Sequence, residues 1–169
     1  MTSSGTAKAR VGLLGNPSDG FGGRVLAMTV PSFKATASVH SAVDAWDFDD
    51  SELLEATIAL LRNTHPELVT EPAAVSFDTN IPRQVGLGGS SAIIIAVLRA
   101  LANRAGIEWD SVDLARTALL VETEQLGWAA GPQDRVVQVF EGVLDMDFAE
   151  PWQAHRYVPL DPALSLIHI

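Results

Sequence analysis

Ile81-Pro-Arg-Gln-Val-Gly-Leu-Gly-Gly-Ser-Ser-Ala92 is the stretch on which the reading of this chain turns. Gly86, Gly88 and Gly89 leave the backbone bare, Ser90 and Ser91 add hydroxyls, and an apolar run opens at Ile93. A loop of that kind, feeding directly into a buried helix, holds an anion. Without Cβ atoms the chain can approach phosphate oxygens closely. The free N–H groups of the first helical turn then point at the guest, with the positive end of the helix dipole behind them. A Walker A loop is excluded, because it needs a Lys directly before its Ser/Thr and Gly89 occupies that place. Gly86-x-Gly88 comes near the dinucleotide fingerprint, with Asp110 at a suitable distance for a ribose contact. Yet Trp109-Asp-Ser-Val-Asp113 reads as a helix cap where that motif requires the end of a strand.

Composition narrows the setting. The 169 residues, 47% of them apolar, suit one globular domain with a substantial core. The absence of cysteine excludes a disulfide framework and a thiolate metal site. The polar start is unlike a signal peptide and no apolar run reaches membrane-spanning length, so the expected location is cytoplasmic. A net charge of −10, with basic residues scattered along the sequence, excludes a nucleic-acid surface. His40, His65, His155 and His168 share no ligand spacing.

Along the chain, residues 1–9 are small and polar and are predicted to be mobile, with the domain spanning residues 10–160. Residues 10–15 read as a short buried strand, and residues 16–23 as a turn-rich loop with Asp19 in its middle. Residues 24–43 alternate in the manner of two strands separated at Pro31. Asp49, Asp50 and Ser51 offer caps to a helix carrying Leu54, Ile58 and Leu61, which His65-Pro66 stops. A strand over 73–78 leads to the glycine loop, and the helix beyond the loop is apolar nearly all round.

Asp110 or Ser111 caps a further helix whose stripe of Ala115, Ala118 and Leu119 continues onto Glu122. A carboxylate on a core-facing stripe needs either a buried Arg or a metal ion, whereas Glu124 lies round the helix in solvent. Pro132 opens a short helix with Asp134 in its first turn, where the dipole favours a carboxylate. Strands over 143–148 and 153–158 close the fold, and residues 161–169 read as a non-native tail.

The glycine loop resembles the phosphate loop of the GHMP kinases, the family of galactokinase, homoserine kinase and mevalonate kinase. Their Pro-x-x-x-Gly-Leu-Gly/Ser-x-Ser-Ser/Ala pattern is met by Pro82, Gly86, Leu87, Gly88, Ser90 and Ser91. Two further blocks fall in the family's order. Arg10-Val-Gly-Leu-Leu-Gly15 leads into the loop with Asp19, and Glu122 precedes Asp134 with Gly131 in the turn between them. The wording Gly-x-Ala-Ala-Gly-x-Gln-Asp-Arg-Val-Val-Gln-Val is most similar to the glucuronokinase branch.

The resemblance implies an α+β fold of two layers, a mixed and mainly antiparallel sheet packed on helices. It implies ATP held by residues 86–91, including Gly89, and Mg²⁺ held by Ser90 and Glu122. Asp134 would accept the proton of the attacking hydroxyl, Arg10 would stabilise the transferring group, and Asn16 and Asp19 would grip a sugar or sugar acid. Asn16-Pro17 stands where galactokinase has Glu-His, which points away from galactose. A C-terminal domain of comparable size, with a further Gly-rich loop, is expected to complete the site. The acceptor that the resemblance implies is the anomeric hydroxyl of glucuronate or a related sugar; the rival expectations are a nucleotide-binding module without catalysis and a kinase of the same family for galactose, heptose phosphate or mevalonate.

Overall fold

The computed structural model describes residues 2–41, 44–48 and 51–161. Its centre is one long strand, β2 (Arg24–His40), flanked from Leu26 to His40 by β1 (Thr2–Leu14). On the other side of β2, two strands share its length. β4 (Ala74–Thr79) pairs with Ala35–His40, and β5 (Val143–Asp147) pairs with Arg24–Met28. β3 (Asp47–Phe48) lies outside β4 in parallel, and β6 (Tyr157–Leu160) lies outside β5; every other pairing is antiparallel. The mixed, mainly antiparallel sheet and its helical layer are the fold that the sequence predicts.

One face of the sheet is built from small residues. Ala7, Ala9, Val25, Ala27, Ala35, Ala37 and Val39 are all buried on it, and α2 (Gly89–Ala105) lies against them. The close approach has a sharp requirement at Gly5, where a Cβ would meet Ala96 O at 2.3 Å and Ala100 N at 2.5 Å. α2 is buried almost throughout from Ser91 to Ala102, so the loop at its N-terminus stands on a rigid base. α1 (Glu52–Thr64), α3 (Ser111–Leu120) and α4 (Gln133–Phe140) complete the layer around α2.

Four expectations are corrected. Residues 2–9 are the first half of β1, because Gly5, Ala7 and Ala9 alternate toward α2 and the segment pairs with β2 from Thr2 onward. Pro31 does not separate two strands. The register jumps from Lys8↔Lys34 to Ala9↔Val30, so Pro31, Ser32 and Phe33 bulge out of a continuous β2, and the missing proline N–H falls where no ladder bond is needed. The last strand begins at Tyr157, with a 3₁₀ turn over Ala154–Arg156 before it. Ser51 occupies the N-cap of α1 but its side chain makes no capping bond. Asp49, Asp50 and the proposed tail beyond Asp161 lie outside the described residues.

Candidate active site

The glycine loop is shaped from beneath. Arg10, in β1, donates its backbone N–H to Leu87 O at 3.1 Å and its Nη1 to Gly86 O at 2.7 Å. Gln138, fully buried in α4, donates to both Gly88 O and Lys8 O at 2.9 Å, and Ser91 Oγ donates to Gly88 O at 3.1 Å. Three consecutive carbonyls are thus tied to the protein, while the first-turn N–H groups of α2 have no intrahelical acceptor. Gly88, the N-cap, has φ +67°, and a Cβ there would lie 3.0 Å from Gln138 Nε2 and 3.2 Å from Arg10 Cγ. Both conformation and space demand glycine at that position. The two serines divide the work. Ser91 is buried and fastens the loop, whereas Ser90 lines the clefts on either side.

Two clefts meet at this loop. One, of about 720 Å³, runs along Pro82 and residues 83–90; the other, of about 480 Å³, is walled by Asn16, Asp19 and Gln133. Arg10, Ser90, Trp128 and Asp134 line both, so these four side chains mark the junction. Arg10 Nη2 forms an ion pair with Asp134 there. Burial pushes the Asp134 carboxyl above the usual aspartate range and the Asp19 charge adds to that, while the Arg10 hydrogen bond and charge pull it back down in part.

Asn16 and Asp19 are brought together, but mostly with α4. Gln133 donates its Nε2 to Asn16 Oδ1 at 2.6 Å and to Asp19 Oδ1 at 3.3 Å, and its backbone N–H to Asp19 Oδ2 at 3.1 Å. Asp19 is buried and sits so tightly that a Cβ on Gly131 would approach its Oδ2 to 2.2 Å. The loop acid therefore caps the helix carrying Asp134, and Asn16 is left as the more accessible polar group of that wall.

Glu122 meets its sequence expectation of burial, at 1% exposure, in a π-helical turn over Val121–Gln125. It has two partners. Ser90 Oγ donates to Oε1 at 2.6 Å, and Arg135 forms an ion pair with it, which is the buried-Arg alternative left open by the stripe. Burial and the Arg10 charge push the Arg135 guanidinium down to about 9, against the pull of Asp19, so it stays protonated at neutral pH. Ser90 Oγ and Glu122 Oε1 together fit Mg²⁺, a hard cation that takes few protein oxygens and keeps waters or substrate phosphates for the rest. No cluster of three or more His, Cys, Asp or Glu suited to a metal occurs among the described residues. Asp110 accepts from the N–H groups of Val112 and Asp113 at 3.0 Å each, a helix cap and not a ribose ligand.

Sequence reasoning missed Gln133, Arg135, Gln138 and Trp128. One signal was present: Asp134 and Gln138 are one helical turn apart, so two polar groups share a face of a short helix otherwise rich in valine.

The molecule is thus an α+β domain whose central helix begins in a glycine loop, with a partly buried Asp–Arg pair between two clefts. The GHMP kinases N terminal domain matches residues 52–142, and the chain belongs to that family. Glucuronokinase 1 of Arabidopsis thaliana is 34% identical over 95% of this chain and 55% of its own length. The D-glycero-alpha-D-manno-heptose 7-phosphate kinase of Campylobacter jejuni is 31% identical over 48% of this chain and 25% of its own length. Among solved structures, the Lactococcus lactis galactokinase complexed with galactose superposes with a TM-score of 0.80 at 15% identity, over 95% of this chain and 47% of that one. The chain thus spans about half the length of Glucuronokinase 1. No helix of the described residues is long and apolar enough to cross a membrane.

Proposed function

We propose that this chain is the phosphate-loop half of an ATP-dependent cytoplasmic sugar kinase, whose acceptor is the anomeric hydroxyl of glucuronate or a related sugar. The observation that carries the reading is the Arg10–Asp134 pair at the meeting of the two clefts. The larger cleft would take the nucleotide, with its phosphates on the N–H groups of residues 86–91, and the smaller would take the sugar. Asp134, whose raised pKa suits a proton acceptor, would receive the hydroxyl proton as the sugar oxygen bonds to the γ-phosphorus and the bond to ADP breaks. Arg10 would neutralise charge on the transferring group. Ser90 and Glu122 would hold Mg²⁺, which supplies charge neutralisation between the phosphates when bound.

Glucuronate is favoured over galactose by the identity with Glucuronokinase 1 and by Asn16-Pro17 at the head of the acceptor loop. The greater length of that relative supports a second domain of the same polypeptide that completes the nucleotide site. An ATP-consumption assay on the protein with its native continuation, run over a panel of sugars, sugar acids, mevalonate and homoserine, tests the reading. Turnover with glucuronate or another sugar is the expected result. A preference for mevalonate or homoserine over every sugar would overturn it, and an ordinary rate of roughly 1 to 1,000 per second from the 169 residues alone would remove the need for a second domain.

A further inference from the structure

Three basic residues distant in sequence, Lys8, Lys34 and Arg99, line one cleft. The chain has two lysines, Lys8 and Lys34, and they are register partners on β1 and β2, on the wall of a third cleft of about 690 Å³. This cleft shares no lining residue with the two at the glycine loop. It lies toward the other end of α2, at Asn103. Like charges placed directly opposite on neighbouring strands repel, in a protein whose net charge of −10 offers many acidic positions for relief.

The local supply of counter-charge is short. Glu141 is ion-paired with Lys8 and lies 3.6 Å from Arg99 Nη1, so one carboxylate serves two cations. Lys34 has no carboxylate within ion-pair distance among the described residues. Glu108 is the other acid on the wall, leaving three cations against two anions. Burial disfavours the Arg99 charge, and Glu141 offsets this only in part.

The cleft runs along the outer edge of β1, yet that edge is closed to a further strand. Asn103 Nδ2 donates to Ser4 O at 2.8 Å, Arg99 Nη1 to Thr6 O at 2.6 Å and Gln138 Nε2 to Lys8 O at 2.9 Å. With the carbonyl ladder taken up by side chains, the occupant is a small molecule and not an added strand. Ile107, 37% exposed, and Trp109 supply an apolar wall in the same cleft, and the volume suits a metabolite.

We propose that this cleft is a second binding site, for a phosphate-bearing small molecule whose phosphate lies between Lys8 and Lys34 and whose uncharged part lies against Ile107 and Trp109. The proposal does not depend on the kinase reading of the glycine loop.

A ¹H–¹⁵N NMR titration of the chain tests it, with inorganic pyrophosphate and glucose 1-phosphate as probes. Saturable shifts at the amides of Thr6, Lys8, Lys34, Arg99 and Glu141 are expected, separate from any at Gly86 to Ser91. Lys34→Gln, at an exposed position, should keep the fold and the loop shifts but weaken the remote set about tenfold, the loss of one charge-assisted bond. Glucose 1-phosphate should also move Trp109 Nε1–H, which pyrophosphate alone should leave in place. Shifts confined to the glycine loop would overturn the proposal. So would a remote set that never saturates, or one whose affinity is unchanged in Lys34→Gln.

Discussion

The backbone N–H of Gln133 donates to Asp19 Oδ2 at 3.1 Å, so an acid 114 residues upstream caps the helix that carries Asp134. Gln133 Nε2 reinforces the contact at Asp19 Oδ1 and Asn16 Oδ1, and these bonds make the acceptor loop and the helix one unit. Asp19→Ala should therefore cost about 1–2 kcal/mol, as the loss of a helix cap does. Urea unfolding of the chain checks this, and an unchanged midpoint would mean that Asp19 does no capping.

The glycine loop makes a sharper contrast. Gly86 and Gly88 both have positive φ, but a Cβ on Gly86 would meet nothing within 4 Å whereas one on Gly88 would press on Gln138 and Arg10. Gly86→Ala should cost only the left-handed strain, about 1–2 kcal/mol. Gly88→Ala should cost more than that and also weaken nucleotide binding, because Arg10 has to move. Calorimetric melting and nucleotide titration of both variants distinguish them.

Glu122 and Arg135 form a buried pair that also borders the smaller cleft. Glu122→Gln leaves the buried Arg135 guanidinium with only Asp134, at 3.7 Å, as counter-charge, and up to about 3–5 kcal/mol of stability should be lost. Adding Arg135→Met should recover most of it, since both charges are then gone. Recovered stability without recovered Mg²⁺-dependent nucleotide binding would assign the carboxylate to the metal. Recovery of both would make Glu122 a structural acid only.

Much of this arrangement was readable in the sequence, and what was hidden has physical causes. The loop announced itself because Gly86, Gly88 and Gly89 precede an apolar helix, and Glu122 because a helical stripe carried it into the core. The start of β1 has no strand signal in the sequence because Thr2 to Ala9 offers no large apolar side chain. Its burial comes from Gly5, Ala7 and Ala9 fitting against α2, a matter of close approach and not of hydrophobic content. Pro31 reads as a break because a local rule does not foresee a bulge of β2 across which β1 runs on without interruption. Gln133, Arg135 and Gln138 act through bonds to residues far off in sequence, and no local spacing encodes those partners.

Asp134 gives the pH dependence its sign. Its folded-state pKa lies above the usual 3.8, with burial the largest cause, so the proton-accepting form is lost as pH falls through a midpoint higher than that of an ordinary aspartate. The acid limb of kcat/KM for the proposed sugar kinase should have its midpoint above 3.8. For stability the sign is opposite. A carboxyl with a raised folded pKa favours the fold at acid pH, and that contribution fades as pH rises from 3.8 toward the folded value. A pH profile of activity beside one of the unfolding midpoint checks both directions.

If Asp134 takes the proton of the attacking hydroxyl, Asp134→Asn in the protein with its native continuation should separate binding from turnover. The replacement keeps the size of the side chain at a helix first turn, so nucleotide affinity should stay close to that of the parent. Turnover should fall by about 10²-fold or more, since a proton acceptor acts mainly in the transition state. Near-parental turnover in Asp134→Asn would mean that Asp134 takes no proton and is no more than the acid at the start of α4.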